Sequence, residues 1–150
     1  MADSESNTDR MRRAYAAFSA GDLSTLSELM SPECTWIAAG DNALAGTYLG
    51  RDATFGYFGK LMDATEGTFL IELQDVTEIQ HDLVLACCHV KAGARGKAYE
   101  ADIIQRFVIE DGQAIECRTY VEDSTLWDAF IGPAVITLPA GERAGTGALG

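Results

Sequence analysis

Apolar positions recur at helical spacing in the first third of the chain and at every second position over much of the rest. Met11, Ala14, Tyr15 and Phe18 fall three and four apart, which predicts an amphipathic helix. Asn7, Thr8 or Asp9 can cap its start. Ala20, Gly21 and Asp22 break it, and Asp22 can cap a second helix with the stripe Leu23, Leu26, Leu29 and Met30. Ser31-Pro32 ends that helix, because a proline disfavours helical backbone in the residue before it. A short strand is expected at 34–38. The stretch 39–50 holds three glycines and reads as a loop. A third helix is predicted over 51–63, with Phe55, Phe58, Leu61 and Met62 facing inward.

The period then changes to two. Phe69, Ile71 and Leu73 alternate with polar residues over 68–74, as in a half-buried strand. A nearly continuous apolar run covers 83–92, a turn is expected at 93–96, and a long strand at 97–110. Asp111-Gly112 is a strong hairpin signal, so 114–121 should return antiparallel. Ser124 to Ile131 reads as a last helix carrying Leu126, Trp127 and Phe130. Helices followed by a strand meander predict an α+β fold, with helices packed on one face of a mixed or antiparallel sheet. The expected domain is 8–131, with residues 1–7 disordered and 132–150 a Gly/Ala/Pro-rich tail.

Composition narrows the partners. The chain has 150 residues, enough for one domain, and its hydrophobic share of 47% is that of a globular protein. The formal net charge is −12. Nucleic acid and anionic membrane surfaces both need clustered Lys and Arg, so neither is expected as a partner. Cys34, Cys87, Cys88 and Cys117 form no CxxC pair, and only His81 and His89 could join them, so no metal site is expected. The cysteines read as small buried residues of a reducing compartment. No apolar run approaches the ~18 residues of a membrane span. The polar start MADSESNTDR has no signal-peptide core, so a cytoplasmic location is expected.

Three stretches resemble a known family. AYAAFSAGDL at 14–23 looks like the opening helix pair of SnoaL-like proteins, LAGTYLGRDA at 44–53 like their loop into the third helix, and FVIEDGQAIE at 107–116 like their closing hairpin. The resemblance spans roughly 8–131 and places the chain near the nuclear transport factor 2-like superfamily, with its ketosteroid isomerases and limonene epoxide hydrolases. It implies a cone-shaped α+β barrel, a curved sheet wrapped around the first helix and enclosing a cavity. It also implies a homodimer packed through the outer sheet face. Relatives include cyclases, isomerases, hydrolases and non-catalytic proteins, so fold alone does not set function.

By that resemblance, the isomerases' carboxylate base falls on Ile37, their acid on Gln105, and their tyrosine near Ala14 or Tyr15. Neither Ile37 nor Gln105 can do acid–base work. The cyclases' carboxylate falls on Thr119, with Glu122 and Asp123 as fallback bases after a register shift. The epoxide hydrolases' Asp-Arg-Asp set has only Asp102, Arg106 and Arg118 as raw material, at the wrong spacing. Alternation puts Asp102 and Arg106 on the face opposite Gln105. The expected pocket therefore has Trp36 as an aromatic wall, Tyr15, Phe18, Tyr57 and Phe58 from helices, and Gln105, Thr119 and Cys117 as polar groups. His89 is an acid–base type, on a face the alternation leaves open.

The leading expectation is a cofactor-free enzyme acting on a small hydrophobic, polyketide- or terpenoid-like molecule by cyclisation or isomerisation. Gln105 would polarise a carbonyl, and Glu122 or Asp123 would serve as base. The alternatives are a non-catalytic protein that sequesters such a molecule, and a structural module whose own side chains fill the cavity.

Overall fold

The first helix, α1 (Asn7–Ala20), is capped one residue earlier than expected: the Ser6 hydroxyl accepts from the Asp9 N–H at 3.1 Å. Gly21 ends it in the left-handed conformation at φ 71°, which a glycine adopts without strain. Asp22 caps α2 (Leu23–Leu29) through the Thr25 N–H, as its position predicts. The computed structural model describes residues 5–133. Of the expected disordered start over 1–7, residues 1–4 lie outside the described residues, as do 134–150 of the expected tail over 132–150.

The strand β1 (Met30–Ala38) begins earlier than the apolar pattern indicates. Pro32 sits where its pairing shifts register between Met30 and Thr35, so its missing N–H costs the ladder nothing. Part of the expected loop is a four-residue strand, β2 (Gly46–Leu49). Helix α3 (Arg51–Ala64) buries Thr54, Tyr57 and Leu61. Leu61 and Phe58 face inward as expected, while Thr54 and Tyr57 widen the inner face and Phe55, Phe58 and Met62 are only partly buried.

The remaining strands are β3 (Leu70–Gln80), β4 (Leu83–Ala94), β5 (Lys97–Glu110) and β6 (Gln113–Val121), followed by α4 (Ser124–Ile131). β3 runs past the expected 74 because its ladder with β4 resumes after irregularities at Leu73/Asp75 and Glu78/Gln80. The order across the sheet is β2-β1-β6-β5-β4-β3, antiparallel throughout except for the parallel β1–β6 pair. The sheet is mixed, curved and open at its edges.

Alternation along the central strands decides what faces the helices. Val84, Ala86, Cys88 and Val90 on β4, and Tyr99, Ala101, Ile103, Gln105, Phe107 and Ile109 on β5, are buried on the inner face. Met11, Tyr15 and Ala17 of α1 are buried in the same core. α4 is drawn in by Arg95 in the β4–β5 turn. Its guanidinium donates to the Ala64 carbonyl at 3.1 Å and to the Phe130 carbonyl, and lies over the Phe130 ring at 5.7 Å. A cation at two helix C-termini complements both dipoles.

Candidate functional site: an uncharged cavity between α1 and the sheet

The sheet and helices leave a cavity lined largely by apolar side chains. The space open to the centre of a water-sized sphere is about 90 Å³. One water needs only ~10–15 Å³ by that measure, so the side chains of the described residues leave the cavity unfilled. Trp36 forms one wall, edge-on to Phe58 at 5.1 Å between ring centroids and to Phe107 at 6.1 Å. Phe18 packs edge-on against Phe58 at 5.1 Å. Edge-to-face packing of this kind fixes ring positions. Tyr99, Trp127 and Phe130 form a second aromatic cluster, with Tyr99 and Trp127 4.8 Å apart.

One polar chain crosses this lining. The Tyr15 hydroxyl donates to Gln105 Oε1, and Gln105 Nε2 donates to Thr119 Oγ1 at 3.1 Å. Gln105 and Thr119 are register partners on β5 and β6, and Tyr15 reaches them from α1. Tyr15 takes one acceptor position of the amide oxygen and, with Thr119 on the nitrogen, sets the orientation of the amide. One N–H goes to Thr119, and the second has no partner among the described residues. Burial pushes the Tyr15 phenol well above its usual pKa, with the Cys88 and Cys117 thiols adding to the effect. Tyr15 is therefore a neutral donor across the physiological range. Burial also raises Tyr57, and it pushes Tyr99 up to about 12, helped by the Asp123 and Glu122 charges.

Of the expected pocket residues, Tyr15, Phe18, Trp36, Tyr57, Phe58, Gln105 and Thr119 all line the cavity. Cys117 does not: it is wholly buried beneath the lining, and burial holds its thiol far above the usual pKa. Glu122 and Asp123 do not line it either. Asp123 caps α4, accepting from the Thr125 and Leu126 N–H groups at 3.0 and 3.3 Å. Glu122 is exposed and accepts weakly from the Asp102 N–H at 3.4 Å. Their place at the strand end, before a helix that needs a cap, explains both. Ile37 lies on the opposite face of β1 from Trp36, level with Thr47 and Arg118.

His89 faces outward. Nδ1 meets Asp102 at 2.7 Å and Nε2 meets Glu100 at 2.6 Å. These bonds, that to Asp102 foremost, raise its pKa above 6.5. Asp102 and Arg106 face away from the cavity, as alternation predicts, and Arg106 pairs with Glu116 at 3.4 Å. Cys87 is exposed, against the expectation that all four cysteines are buried.

Tyr99 and Trp127 were not among the expected site residues. Tyr99 has the same parity as Gln105 on β5, a signal sufficient to place it on the inner face. Trp127 depends on how α4 docks, which the helix's own sequence does not encode. Among the described residues lining the cavity there is no carboxylate, imidazole, amine or guanidinium.

The family model for the SnoaL-like domain matches residues 11–117. The chain belongs to this family, within the nuclear transport factor 2-like superfamily. Bal32a, from a soil-derived mobile gene cassette, is a solved structure with 32% sequence identity and a TM-score of 0.81, over 84% of this chain and 96% of that one. An uncharacterised protein of Mycobacterium tuberculosis is 26% identical over 126 residues, 84% of this chain and 96% of its own. IdmH of Streptomyces antibioticus, described as a candidate polyketide cyclase, shares the fold at a TM-score of 0.66 and 22% identity, over 85% and 99% of the two chains. Among the described residues no helix is long and apolar enough to cross a membrane.

Proposed function

We propose that this SnoaL-like protein binds a small, largely apolar, carbonyl-bearing molecule of polyketide or terpenoid kind and polarises its carbonyl. The observation that carries this reading is the Gln105 amide, fixed by Tyr15 and Thr119 with one N–H left over, in an otherwise apolar cavity. An apolar pocket with a few oriented polar groups is the usual form of a small-molecule site. Ring closure or isomerisation suits it. Holding a flexible chain near its reactive geometry lowers the entropic part of the barrier, and an aligned donor stabilises charge developing on oxygen. The description of IdmH as a candidate polyketide cyclase agrees with this class.

Turnover of polyketone model substrates tests the reading, with Gln105→Leu as the key variant. Loss of one oxyanion donor lowers kcat by about 10²–10³-fold in comparable enzymes. Turnover that survives this substitution undiminished would refute the role given to Gln105. Among the described residues the lining holds no carboxylate, imidazole or amine, and its phenols are held neutral by burial, which favours a second reading, sequestration without turnover. Tight binding of unreacted ketone with no product over hours supports that one.

A homodimer through the outer sheet face belongs to the same proposal. Ile104 and Tyr120 are 40% and 50% exposed on that face. Sedimentation velocity reads it directly: a monomer at micromolar concentration would overturn it.

A further inference from the structure

Two buried donors in the cavity are unused by the Tyr15–Gln105–Thr119 chain. Trp36 is 8% exposed and Tyr99 7%. Both line the cavity, yet neither Trp36 Nε1 nor the Tyr99 hydroxyl has a hydrogen-bond partner among the described residues. Buried polar groups are nearly always satisfied, and exceptions call for a reason. Here two exceptions share one cavity.

Their positions differ. Trp36 on β1 is level with Cys117, and Cys117 with Phe107. Tyr99 is eight residues from Phe107 along β5, against Trp127 and Phe130. Eight residues of straight strand would span roughly 26 Å. The curvature of the sheet and the inward reach of both side chains bring the donors closer, onto one cavity. Gln105 lies between Tyr99 and Phe107 on the same face. The cavity thus has a donor toward each end and one in between.

Chemistry restricts what these donors can meet. An indole N–H only donates, so the group at Trp36 must be an acceptor. A neutral phenol at Tyr99 donates readily. Among the described residues no Lys, Arg or His lines the cavity, so an ionised carboxylate on the ligand would be buried without a counter-charge from them, which is strongly unfavourable. The Glu122 and Asp123 charges near Tyr99 oppose an anion there as well.

Building on the function proposed above, we propose that the ligand is an elongated, rigid, uncharged multi-ring molecule with acceptor oxygens at both ends, one taken by Trp36 Nε1 and the other by the Tyr99 hydroxyl. Keto or quinone oxygens fit these ends; carboxylates do not. Trp36 and Tyr99 are then specificity-determining residues that read the ligand's length and terminal oxygens.

The test uses the androstane frame as a ruler, with ketones at both ends (the 3,17-dione), at one end (the 3-one and the 17-one), or at neither. Affinity is followed by calorimetry and by fluorescence of Trp36 and Trp127, both of which line the cavity. The dione should bind about tenfold more tightly than either mono-ketone, since one neutral hydrogen bond is worth roughly that factor. Trp36→Phe and Tyr99→Phe should each cost the dione about tenfold and each abolish the advantage of its second ketone. The hydrocarbon makes no hydrogen bond, so any loss it shows measures packing, and the loss of about tenfold is what the dione shows beyond it; a dione loss no larger than the hydrocarbon's would overturn the assignment.

Equal binding of dione and mono-ketones, with Gln105→Leu still weakening both, would overturn the two-ended reading and leave the proposed function standing. No binding of any ketone, with Gln105→Leu silent, would overturn both. Tighter binding of a terminal carboxylate analogue would overturn the uncharged character of the ligand.

Discussion

The Tyr15–Gln105 bond gives a prediction whose size follows from burial. Tyr15 and Gln105 are 9% and 7% exposed, so neither can turn to bulk solvent when its partner is lost. Tyr15→Phe leaves Gln105 Oε1 without a donor. A buried unsatisfied acceptor costs about 1–3 kcal/mol. Gln105→Leu strands the Tyr15 hydroxyl and the Thr119 hydroxyl together, at about 1–3 kcal/mol for the more deeply buried Tyr15 alone. In the double variant Tyr15→Phe/Gln105→Leu the chief donor and its acceptor both disappear, leaving two apolar side chains of similar shape. Its destabilisation should fall short of the sum of the singles by about 1–2 kcal/mol, a coupling typical of groups in one network. Urea unfolding followed by tryptophan fluorescence measures all four proteins. The slope of stability against urea should stay constant across the set, because none of these changes alters the surface exposed on unfolding. Additivity within about 0.5 kcal/mol would show that the two groups do not share a bond of consequence. The fixed amide, and with it the proposed site, would then have no basis.

Other outcomes follow from single contacts. Asp123→Ala should cost about 1 kcal/mol by uncapping α4, yet leave ketone affinity at Gln105 intact; loss of binding at unchanged stability would restore Asp123 as a site residue. Gly40→Ala places a methyl 2.3 Å from Asp128 Oδ1, at a φ of +95°. It should destabilise by about 1–3 kcal/mol, because Asp128 holds the Asp41 N–H and the Asn42 amide at 2.9 and 2.7 Å; an unchanged unfolding midpoint would count against that clamp. For His89 the sign runs one way. Its folded-state pKa is raised above 6.5 by Asp102 and Glu100, so its contribution is full below 6.5 and is lost as pH rises through the raised value. Urea midpoints of wild type and His89→Gln should therefore diverge at pH 6 and converge at pH 9; a constant difference would contradict the charged bridge.

Much of this architecture was legible in the sequence because period and face are coupled. Strand alternation placed Gln105 inward and Asp102 and Arg106 outward, a capping residue marked Asp22, and turn chemistry marked the Asp111-Gly112 hairpin. The errors have physical causes. β2 is four residues long and carries no apolar alternation, so nothing in its residues distinguishes it from a loop. The face of α3 depends on which side meets β1: Phe58 and Leu61 do turn to the cavity, but the spacing of the aromatics at 55 and 58 hid Thr54 and Tyr57, which are more deeply buried. Glu122 and Asp123 were attractive as bases only while their backbone roles were unknown. Cys117 shared the right strand, but it packs under the cavity wall rather than in it.

The distribution of charge supports a neutral ligand more strongly than any one contact. The chain carries −12, yet among the described residues the lining of its cavity holds no ionised group. That separation comes from strand alternation and helix capping. Glu100, Asp102 and Glu116 take the outward positions of β5 and β6, Asp22 and Asp123 are used as caps, and the inward positions hold Tyr99, Ile103, Gln105 and Phe107. An anion approaching the cavity therefore meets net negative charge outside and no cation within. A neutral apolar molecule meets neither penalty and gains from leaving water. Selection among neutral molecules then depends on the buried donors, since an acceptor in the right place satisfies a group that is otherwise stranded, and a methyl group there does not.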